Sequence, residues 1–162
     1  MNHIWTPWRM KYFQKDTAEQ GCAFCLAAER EDGPENLVFH RGENLFMILN
    51  RYPYTSGHVM SVPFMHISKL EDLTSETRCE LMEQVAKAVR VLSDVYKPEG
   101  FNVGMNLGSA AGAGIADHLH MHIVPRWGGD TSFISTLGGT RVVPEPLEVT
   151  YQKVKEAWER VD

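Results

Sequence analysis

Three of the seven histidines in this 162-residue chain recur at every second position, in the run His118-Leu119-His120-Met121-His122-Ile123-Val124. Successive side chains of a β-strand point to opposite faces, so a strand here would place all three imidazoles on one face and the apolar residues between them in a core. Near neutral pH, imidazole offers a nucleophile, an acid or base, or a metal ligand. Most inferences about function depend on the choice among these roles.

Distance argues against one metal ion held by all three histidines. A strand rises roughly 3.3 Å per residue, so the Cα atoms of His118 and His122 would lie about 13 Å apart. One zinc ion requires each ligating nitrogen at about 2.0–2.1 Å, which the two ends of the row could meet only with strong distortion. We therefore expect the three histidines to have different roles.

The loop before the histidines, residues 108–114, is rich in glycine and alanine. Gly112 and Gly114 permit close backbone approach and positive φ angles. Successive N–H groups in such a loop can bind an anion. An anion site beside a row of imidazoles favours phosphorus chemistry with a histidine nucleophile.

Periodicity indicates the elements that must position these residues. Strands are predicted at residues 37–40, 45–49, 58–63 and 101–107 and at the histidine run. The clearest helix spans about residues 75–96 and carries one apolar stripe, formed by Cys79, Met82, Val85, Ala86, Val89, Leu92 and Tyr96. A terminal amphipathic helix is marked by Leu147, Tyr151, Val154 and Trp158. Strands, a long helix and further strands predict an α+β domain, an antiparallel sheet with helices packed on it.

Length and composition predict a single domain over residues 1–162, with residues 1–21 as an arm packed on it. A formal net charge of −5 without a basic patch argues against a nucleic-acid partner. Without a run of about 18 apolar residues or a signal core, we expect no membrane association and a cytoplasmic location. The three cysteines are an odd number, which argues against a disulfide framework, and Cys79 is expected to be buried.

Two blocks of this sequence resemble the histidine triad (HIT) superfamily of nucleotide hydrolases and transferases. The histidine run matches the family's H-φ-H-φ-H-φ-φ motif, and Leu49-Asn50-Arg51-Tyr52-Pro53-Tyr54-Thr55-Ser56-Gly57-His58-Val59 resembles its L-N/D-x-x-P-x-x-x-G-H segment. The two blocks span roughly residues 37–127 in the family's order. The Pro-Arg-Trp-Gly-Gly-Asp tail at residues 125–130 and the Trp-Thr-Pro-Trp-Arg run at residues 5–9 of the arm are similar to a bacterial branch that includes diadenosine tetraphosphate phosphorylases.

The resemblance implies the fold and the reaction. The fold is a HIT-like antiparallel sheet with a long packed helix and a C-terminal helix. His120 is the nucleophile that attacks the α-phosphate of a nucleoside polyphosphate such as diadenosine tetraphosphate. A nucleotidyl-histidine intermediate is then released by water or by phosphate. His122 would bond the α-phosphate.

Other substrate-binding residues follow from the same resemblance. Asn50 corresponds to the position that contacts the ribose hydroxyls, and Asn106 to a polar position near the phosphates. For either asparagine, the alternative is a residue that bonds its own backbone at a turn. Trp127 would stack near the site or cover the core.

The chain departs from the family just before the first histidine. Many members carry Ser, Thr or Gln there to help the leaving group, whereas this chain has Gly114 and Ile115. Backbone N–H groups, with Ser109 as a substitute, would then serve. The departure favours a second hypothesis, a nucleotide-binding or signalling module with residual phosphoramidase-type activity.

Cys22 and Cys25 form a C-x-x-C pattern that by itself is ambiguous between zinc, redox chemistry and chance. A redox motif would sit near a βαβ pattern, which this sequence lacks. In some HIT relatives such a pair is joined by two histidines, which here are His66 and His118. The resemblance therefore implies a structural Zn²⁺ at these four residues, with no organic cofactor, and His118 would orient its neighbour rather than react. The alternative is two cysteines in a turn and His66 hydrogen-bonded at a helix start.

A third hypothesis is a metal-dependent enzyme in which the histidines form an open metal site. For assembly, the family resemblance implies a homodimer or a higher homo-oligomer, paired through a continuous sheet and the long helix. The expected small-molecule partner is a nucleotide substrate.

Overall fold

A computed structural model describes residues 21–130 and 145–161. Its helices and strands in chain order are α1 (Ala23–Glu29), β1 (Val38–Arg41), β2 (Leu45–Leu49), β3 (Val59–Pro63), α2 (Ser75–Tyr96), β4 (Gly100–Gly104), β5 (Met121–Arg126) and α3 (Leu147–Arg160). Short 3-10 helices occupy Leu70–Asp72 and Ser109–Ala111. The predicted arm at residues 1–21 lies outside the described residues except for Gly21, and residues 131–144 also lie outside them.

The five strands form one antiparallel sheet in the order β1-β2-β3-β5-β4. Strand β5 therefore lies between β3 and β4, and His122 pairs with Met60 on one side and Gly104 on the other. Helix α2 packs against β2, β3 and β5, and helix α3 packs against α2 and β1. The predicted α+β class and antiparallel sheet are confirmed.

Helices α2 and α3 lie on one face of the sheet, and His122 points to the other. The Ser61 hydroxyl on β3 donates to Gln84 Oε1 of α2 at 2.8 Å, so Ser61 points toward the helices. Because strand side chains alternate, Met60 and its partner His122 point away from them. Helix α1 lies over the histidines, with the Phe24 ring 5.0 Å from the ring of His120.

The prediction of one strand through the whole histidine run was wrong at its start. Strand β5 begins at Met121, so His118 and His120 precede it. Leu119 N donates to Ile67 O at 2.6 Å, and His118 Nε2 lies 2.8 Å from Pro63 O. These bonds hold the segment against the residues that follow β3 instead of in a regular ladder.

The bounds of α2 were predicted to the residue, but the buried face was partly wrong. Thr74 accepts a bond from Thr77 N at the start, and Lys97 ends the helix with a φ of 47°. The sheet-facing residues are Thr77, Leu81, Gln84, Val85, Ala88, Val91 and Leu92. Cys79, Met82 and Ala86 are exposed, so the expected burial of Cys79 is contradicted.

The observed bounds of the strands are close to those predicted from sequence, but one helix, α1, was not predicted. Strands β1 to β3 begin and end within one residue of the predicted positions, while β4 ends at Gly104 and not at residue 107. Helix α1 was not predicted, because seven residues give too short an apolar pattern and its first flanking residue, Cys22, makes no side-chain cap. This helix carries the second cysteine of the C-x-x-C pattern.

Candidate active site and metal centre

His120 is held in an orientation that suits a nucleophile. Its Nδ1 lies 2.9 Å from the carbonyl oxygen of His118, which can only accept, so Nδ1 carries the proton and donates. The lone pair is then on Nε2. Burial lowers the pKa of His120, an effect partly opposed by the bond to His118, so the ring is neutral at pH 7.

His122 stands beside His120, and one of its ring nitrogens is unpaired among residues 21–130 and 145–161. The two rings meet edge to face with centroids 4.7 Å apart. Nδ1 of His122 lies 2.9 Å from His58 Nε2, and its Nε2 is buried with no hydrogen-bond partner among the described residues. Burial, with a smaller contribution from His120, lowers the pKa of His122 to about 4. Since buried polar groups are nearly always paired, this nitrogen is a candidate contact for a ligand atom.

His58 is a site residue that the sequence analysis overlooked. It is 1% exposed and contacts His122, and the ring of Tyr54 lies 4.6 Å from its own. The backbone N–H of Tyr54 donates to its Nδ1 at 3.1 Å. The signal was available, because His58 ends the second motif block, whose spacing brings it back to β3 opposite the histidine run.

Asn50 is placed at the same cluster. Its Oδ1 accepts from Tyr52 N at 2.9 Å, and its Nδ2 lies 3.3 Å from His58 Nδ1. The backbone-bonded alternative thus describes the oxygen, while the nitrogen faces the histidines. Contact of Asn50 with a ribose stays a prediction.

The Gly/Ala-rich loop forms a short turn beside the cysteines. Gly112 has a φ of 87°, and its N–H and that of Ala111 donate to Ser109 O and Gly108 O. Gly114 lines an open cavity of about 470 Å³ together with Cys22 and His66. Two of the N–H groups considered for anion binding are therefore used within the loop itself.

The remaining predicted substrate residues have less distinctive surroundings. Asn106 is half-buried after β4, and Ser109 is exposed. Trp127 is half-buried after β5, and its backbone N–H donates to Asp130 Oδ2 at 3.3 Å. Arg126 holds the same carboxylate through Nε and Nη2 at 2.5 and 2.6 Å, which orders the turn around Trp127.

A four-residue cluster lies next to the nucleophile. One ligand atom from each of Cys22, Cys25, His66 and His118 falls within 4.8 Å of the others. Cys22 Sγ and Cys25 Sγ lie 3.3 and 3.6 Å from His118 Nδ1, and Cys25 Sγ lies 3.2 Å from His66 Nδ1. In a tetrahedral site with Zn–S of 2.3 Å and Zn–N near 2.05 Å, sulfur and nitrogen are about 3.6 Å apart. The cluster could therefore hold a metal ion.

The surroundings of His118 favour metal ligation over catalysis. Its Nε2 lies 2.8 Å from Pro63 O and must donate, so the lone pair on Nδ1 faces the two sulfurs. Burial is the main cause that lowers the pKa of His118. The imidazole is therefore neutral and correctly oriented to bind a cation. The same residue offers its carbonyl oxygen to His120.

The fold and site together define an α+β domain with two adjacent neutral imidazoles and a cluster beside them that could hold a metal ion. The HIT domain matches residues 31–129 of this chain. A protein named AP-4-A phosphorylase from Mycobacterium tuberculosis is 42% identical over 99% of this chain and 86% of its own length. The chain belongs to the HIT family.

Two solved structures agree with this assignment. A Zn-bound histidine triad family protein from Mycobacterium smegmatis is 27% identical, with a TM-score of 0.68, over 86% of this chain and 94% of its own. A histidine triad nucleotide-binding protein from Sulfolobus tokodaii is 28% identical, with a TM-score of 0.69, over 86% of this chain and 93% of its own. Among the described residues, no helix has the length and apolar character needed to cross a membrane.

Proposed function

We propose that this protein is a nucleotidyltransferase or hydrolase that cleaves a dinucleoside polyphosphate such as diadenosine tetraphosphate at an α-phosphate. The observation that carries the proposal is the pair His120 and His122. One has its Nδ1 proton held by a carbonyl, and the other has a buried nitrogen without a hydrogen-bond partner in the part of the chain that the structure describes. A nucleophile beside an unsatisfied polar atom is the arrangement needed to attack and hold a phosphate.

The reaction would proceed in two displacements. In the first, the His120 Nε2 lone pair forms a bond to the α-phosphorus, and the bond from that phosphorus to the bridging oxygen breaks, releasing a nucleotide. In the second, phosphate or water attacks the same phosphorus, the P–N bond breaks, and its electron pair returns to His120. His122 would hold a phosphate oxygen in both steps.

The M. tuberculosis relative favours phosphate as the second acceptor. It carries the name AP-4-A phosphorylase and matches 99% of this chain. Phosphate as acceptor would give ADP and ATP from diadenosine tetraphosphate. Water would give AMP and ATP.

Product analysis tests the proposal. Wild-type protein and His120→Asn are incubated with diadenosine tetraphosphate, each with and without inorganic phosphate, and the nucleotides are separated by chromatography. We expect ADP and ATP only with phosphate, and a loss of at least about 10³-fold in the variant, since residual rates without a nucleophile are small. His40→Asn, which changes a histidine that packs on Trp158, is the matched control and should keep its activity. Turnover that persists in His120→Asn would refute the role of His120.

The nucleotide-binding module is the second candidate, and Gly114 favours it. Among the described residues, a Cβ at this position would meet nothing within 4 Å, and neither Gly114 nor Ile115 supplies the hydroxyl or amide that many relatives carry there. This candidate predicts that wild-type protein binds nucleotides without releasing products. Single-turnover assays with equilibrium binding separate the two candidates.

We also propose that the metal is a structural Zn²⁺. Cys22, Cys25, His66 and His118 would hold it, and four protein ligands leave no open position for chemistry. The ion would tie helix α1 to the segment that carries His120. The M. smegmatis structure, described as Zn-bound, supports this choice of metal.

Two features support a homodimer. Strand β4 is at the edge of the described sheet, and its Val103 is 44% exposed. Met82 on the outer side of α2 is 55% exposed. An apolar edge strand invites pairing with a second copy. Sedimentation of wild type and Val103→Lys should show a dimer and a monomer, respectively. A wild-type monomer at tens of micromolar would contradict the proposal.

The single domain over residues 1–162 and a cytoplasmic location stay predictions.

A further inference from the structure

We propose that His58 is a positioning residue that keeps His122 in the tautomer with its proton on Nε2, so that His122 donates a hydrogen bond to the substrate phosphate. The inference rests on the proposed function for the identity of the acceptor. The tautomer itself depends only on the free protein. His58 would act through His122 and would not touch the substrate.

One neighbour of His58 has an unambiguous hydrogen-bonding role. The backbone N–H of Tyr54 can only donate, and it lies 3.1 Å from His58 Nδ1. The Asn50 Nδ2 group lies 3.3 Å from His58 Nδ1 and 3.5 Å from Nε2, so it does not distinguish the two ring nitrogens. The Tyr54 N–H does, and His58 Nδ1, which accepts from it, must carry the lone pair.

The proton of neutral His58 is then on Nε2, and it points at His122. His58 Nε2 lies 2.9 Å from His122 Nδ1, so His122 Nδ1 accepts. The proton of neutral His122 is thereby placed on Nε2. This is the buried nitrogen that has no partner among the described residues. A buried N–H donor without an acceptor is ready to bind an anionic oxygen.

The neighbouring histidine is held in the opposite form. His120 Nδ1 donates to His118 O at 2.9 Å, which leaves its lone pair on Nε2. The two rings, 4.7 Å apart, thus present a lone pair and an N–H to the same region. If His122 held its proton on Nδ1, its Nε2 lone pair would repel the phosphate oxygens. The division between nucleophile and donor depends on the bond from His58.

The turn before His58 is built to keep this bond. Gly57 has a φ of 77°, and a Cβ there would lie 2.8 Å from the Tyr96 ring. His58 N also donates to Thr55 O at 3.3 Å, which closes the turn that aims the Tyr54 N–H. His58 is 1% exposed, so water does not compete for its ring nitrogens.

Nitrogen NMR measures the tautomers directly. Protein labelled with ¹⁵N-histidine, purified without chelator and free of substrate, is examined by long-range ¹H–¹⁵N correlation at pH 7.5. We expect His58 and His122 protonated on Nε2 and His120 protonated on Nδ1. His122 protonated on Nδ1, or present as an even mixture, would overturn the inference even if turnover of diadenosine tetraphosphate is normal. Absence of turnover with the expected tautomers would instead count against the proposed function.

Two variants test the role of His58 in catalysis. His58→Gln keeps an N–H donor for His122 and an acceptor for Tyr54 N–H, while His58→Phe keeps a ring without either. We expect His58→Phe to lower kcat about 10- to 100-fold with a smaller change in KM, and His58→Gln to stay within about threefold of wild type. His40→Phe is the matched control.

The outcomes divide cleanly. A His58→Phe protein with wild-type kcat and His122 still protonated on Nε2 would refute the inference. If His58→Phe does not fold, the wild-type tautomers and the activity of His58→Gln decide. A His58→Gln protein that loses its activity while His122 keeps the Nε2 proton would also refute it.

Discussion

Burial lowers the pKa of His122, which makes the stability of the folded protein depend on pH. The pKa of this residue falls from 6.5 to about 4 in the folded protein, so between these values the unfolded chain binds a proton that the folded chain does not. The free energy of unfolding should therefore be highest above pH 6.5 and decrease as pH falls toward 4, by up to roughly 3 kcal/mol from this residue.

Urea denaturation at a series of pH values checks this expectation. The wild-type protein is compared with His122→Asn, which cannot titrate at this position. The difference between the two in unfolding free energy should shrink as pH falls through the window. A constant difference from pH 7 to 4.5 would contradict the lowered pKa.

Gly57 is the glycine at which a side chain would do most harm. Its φ of 77° is left-handed, and a Cβ would meet the Tyr96 ring at 2.8 Å and Leu92 Cδ2 at 3.2 Å. We expect Gly57→Ala to destabilise the protein by about 1–3 kcal/mol through backbone strain and overpacking. Gly104→Ala, where a Cβ would meet nothing within 4 Å, is the control for thermal unfolding. Equal melting temperatures for the two variants would contradict this account.

At the scale of elements, helix α2 shows where one apolar pattern permits two faces. Leu81 is buried in the core, with only 3% of its surface exposed. Cys79, two residues earlier, is exposed to solvent. Leu81→Ala should cost about 2–5 kcal/mol of stability because it leaves a cavity. Cys79→Ala should stay within about 0.5 kcal/mol. Chemical denaturation distinguishes them, and a large effect at Cys79 would restore the stripe inferred from sequence.

The start of strand β5 at Met121 divides the histidine motif, because His118 and His120 precede the strand and only His122 lies in it. The histidine repeat suggested one strand, but the Leu119 N–H to Ile67 O bond diverts the chain before Met121. His118 consequently faces the cysteines while His122 faces His58. The expectation of different roles for the three histidines agrees with this geometry, although the predicted strand was too long.

At the scale of the whole molecule, the candidate metal cluster joins helix α1 to the segment that carries His118 and His120. Protein purified without chelator should contain about one zinc per chain, and Cys22→Ser should lose most of it. Cys79→Ser, the matched control at an exposed cysteine, should keep its zinc and its melting temperature. Metal analysis with thermal unfolding checks both. A zinc content well below one per chain in wild type would refute the structural-zinc proposal.

Loss of the metal should also lower activity, without an open metal site taking part. His118 would lose its anchor, and its carbonyl holds the Nδ1 proton of His120. If the cluster is structural, restoring activity after chelation should require refolding with zinc. Recovery on simple addition of metal to the folded protein would favour the metal-dependent enzyme instead.

The sequence by itself determined most of the helices and strands and the residue types that are available for chemistry. Alternation and helical periodicity located β2 and α2 to the residue, because these patterns depend only on neighbours along the chain. The two motif blocks indicated the family and predicted roles for His120 and His122, and the C-x-x-C pair together with the family resemblance predicted the four candidate metal ligands. The C-x-x-C spacing alone left zinc, redox chemistry and chance open.

Only the tertiary structure decided how these residues are used. The position of Gln84 against Ser61 selects the buried face of α2, a choice made by packing across the sheet. The carbonyls of Pro63 and His118 select the tautomers of His118 and His120. His58 reaches His122 from 64 positions away in the chain. Hydrogen-bond direction depends on which groups meet in space, and no spacing along the chain encodes it.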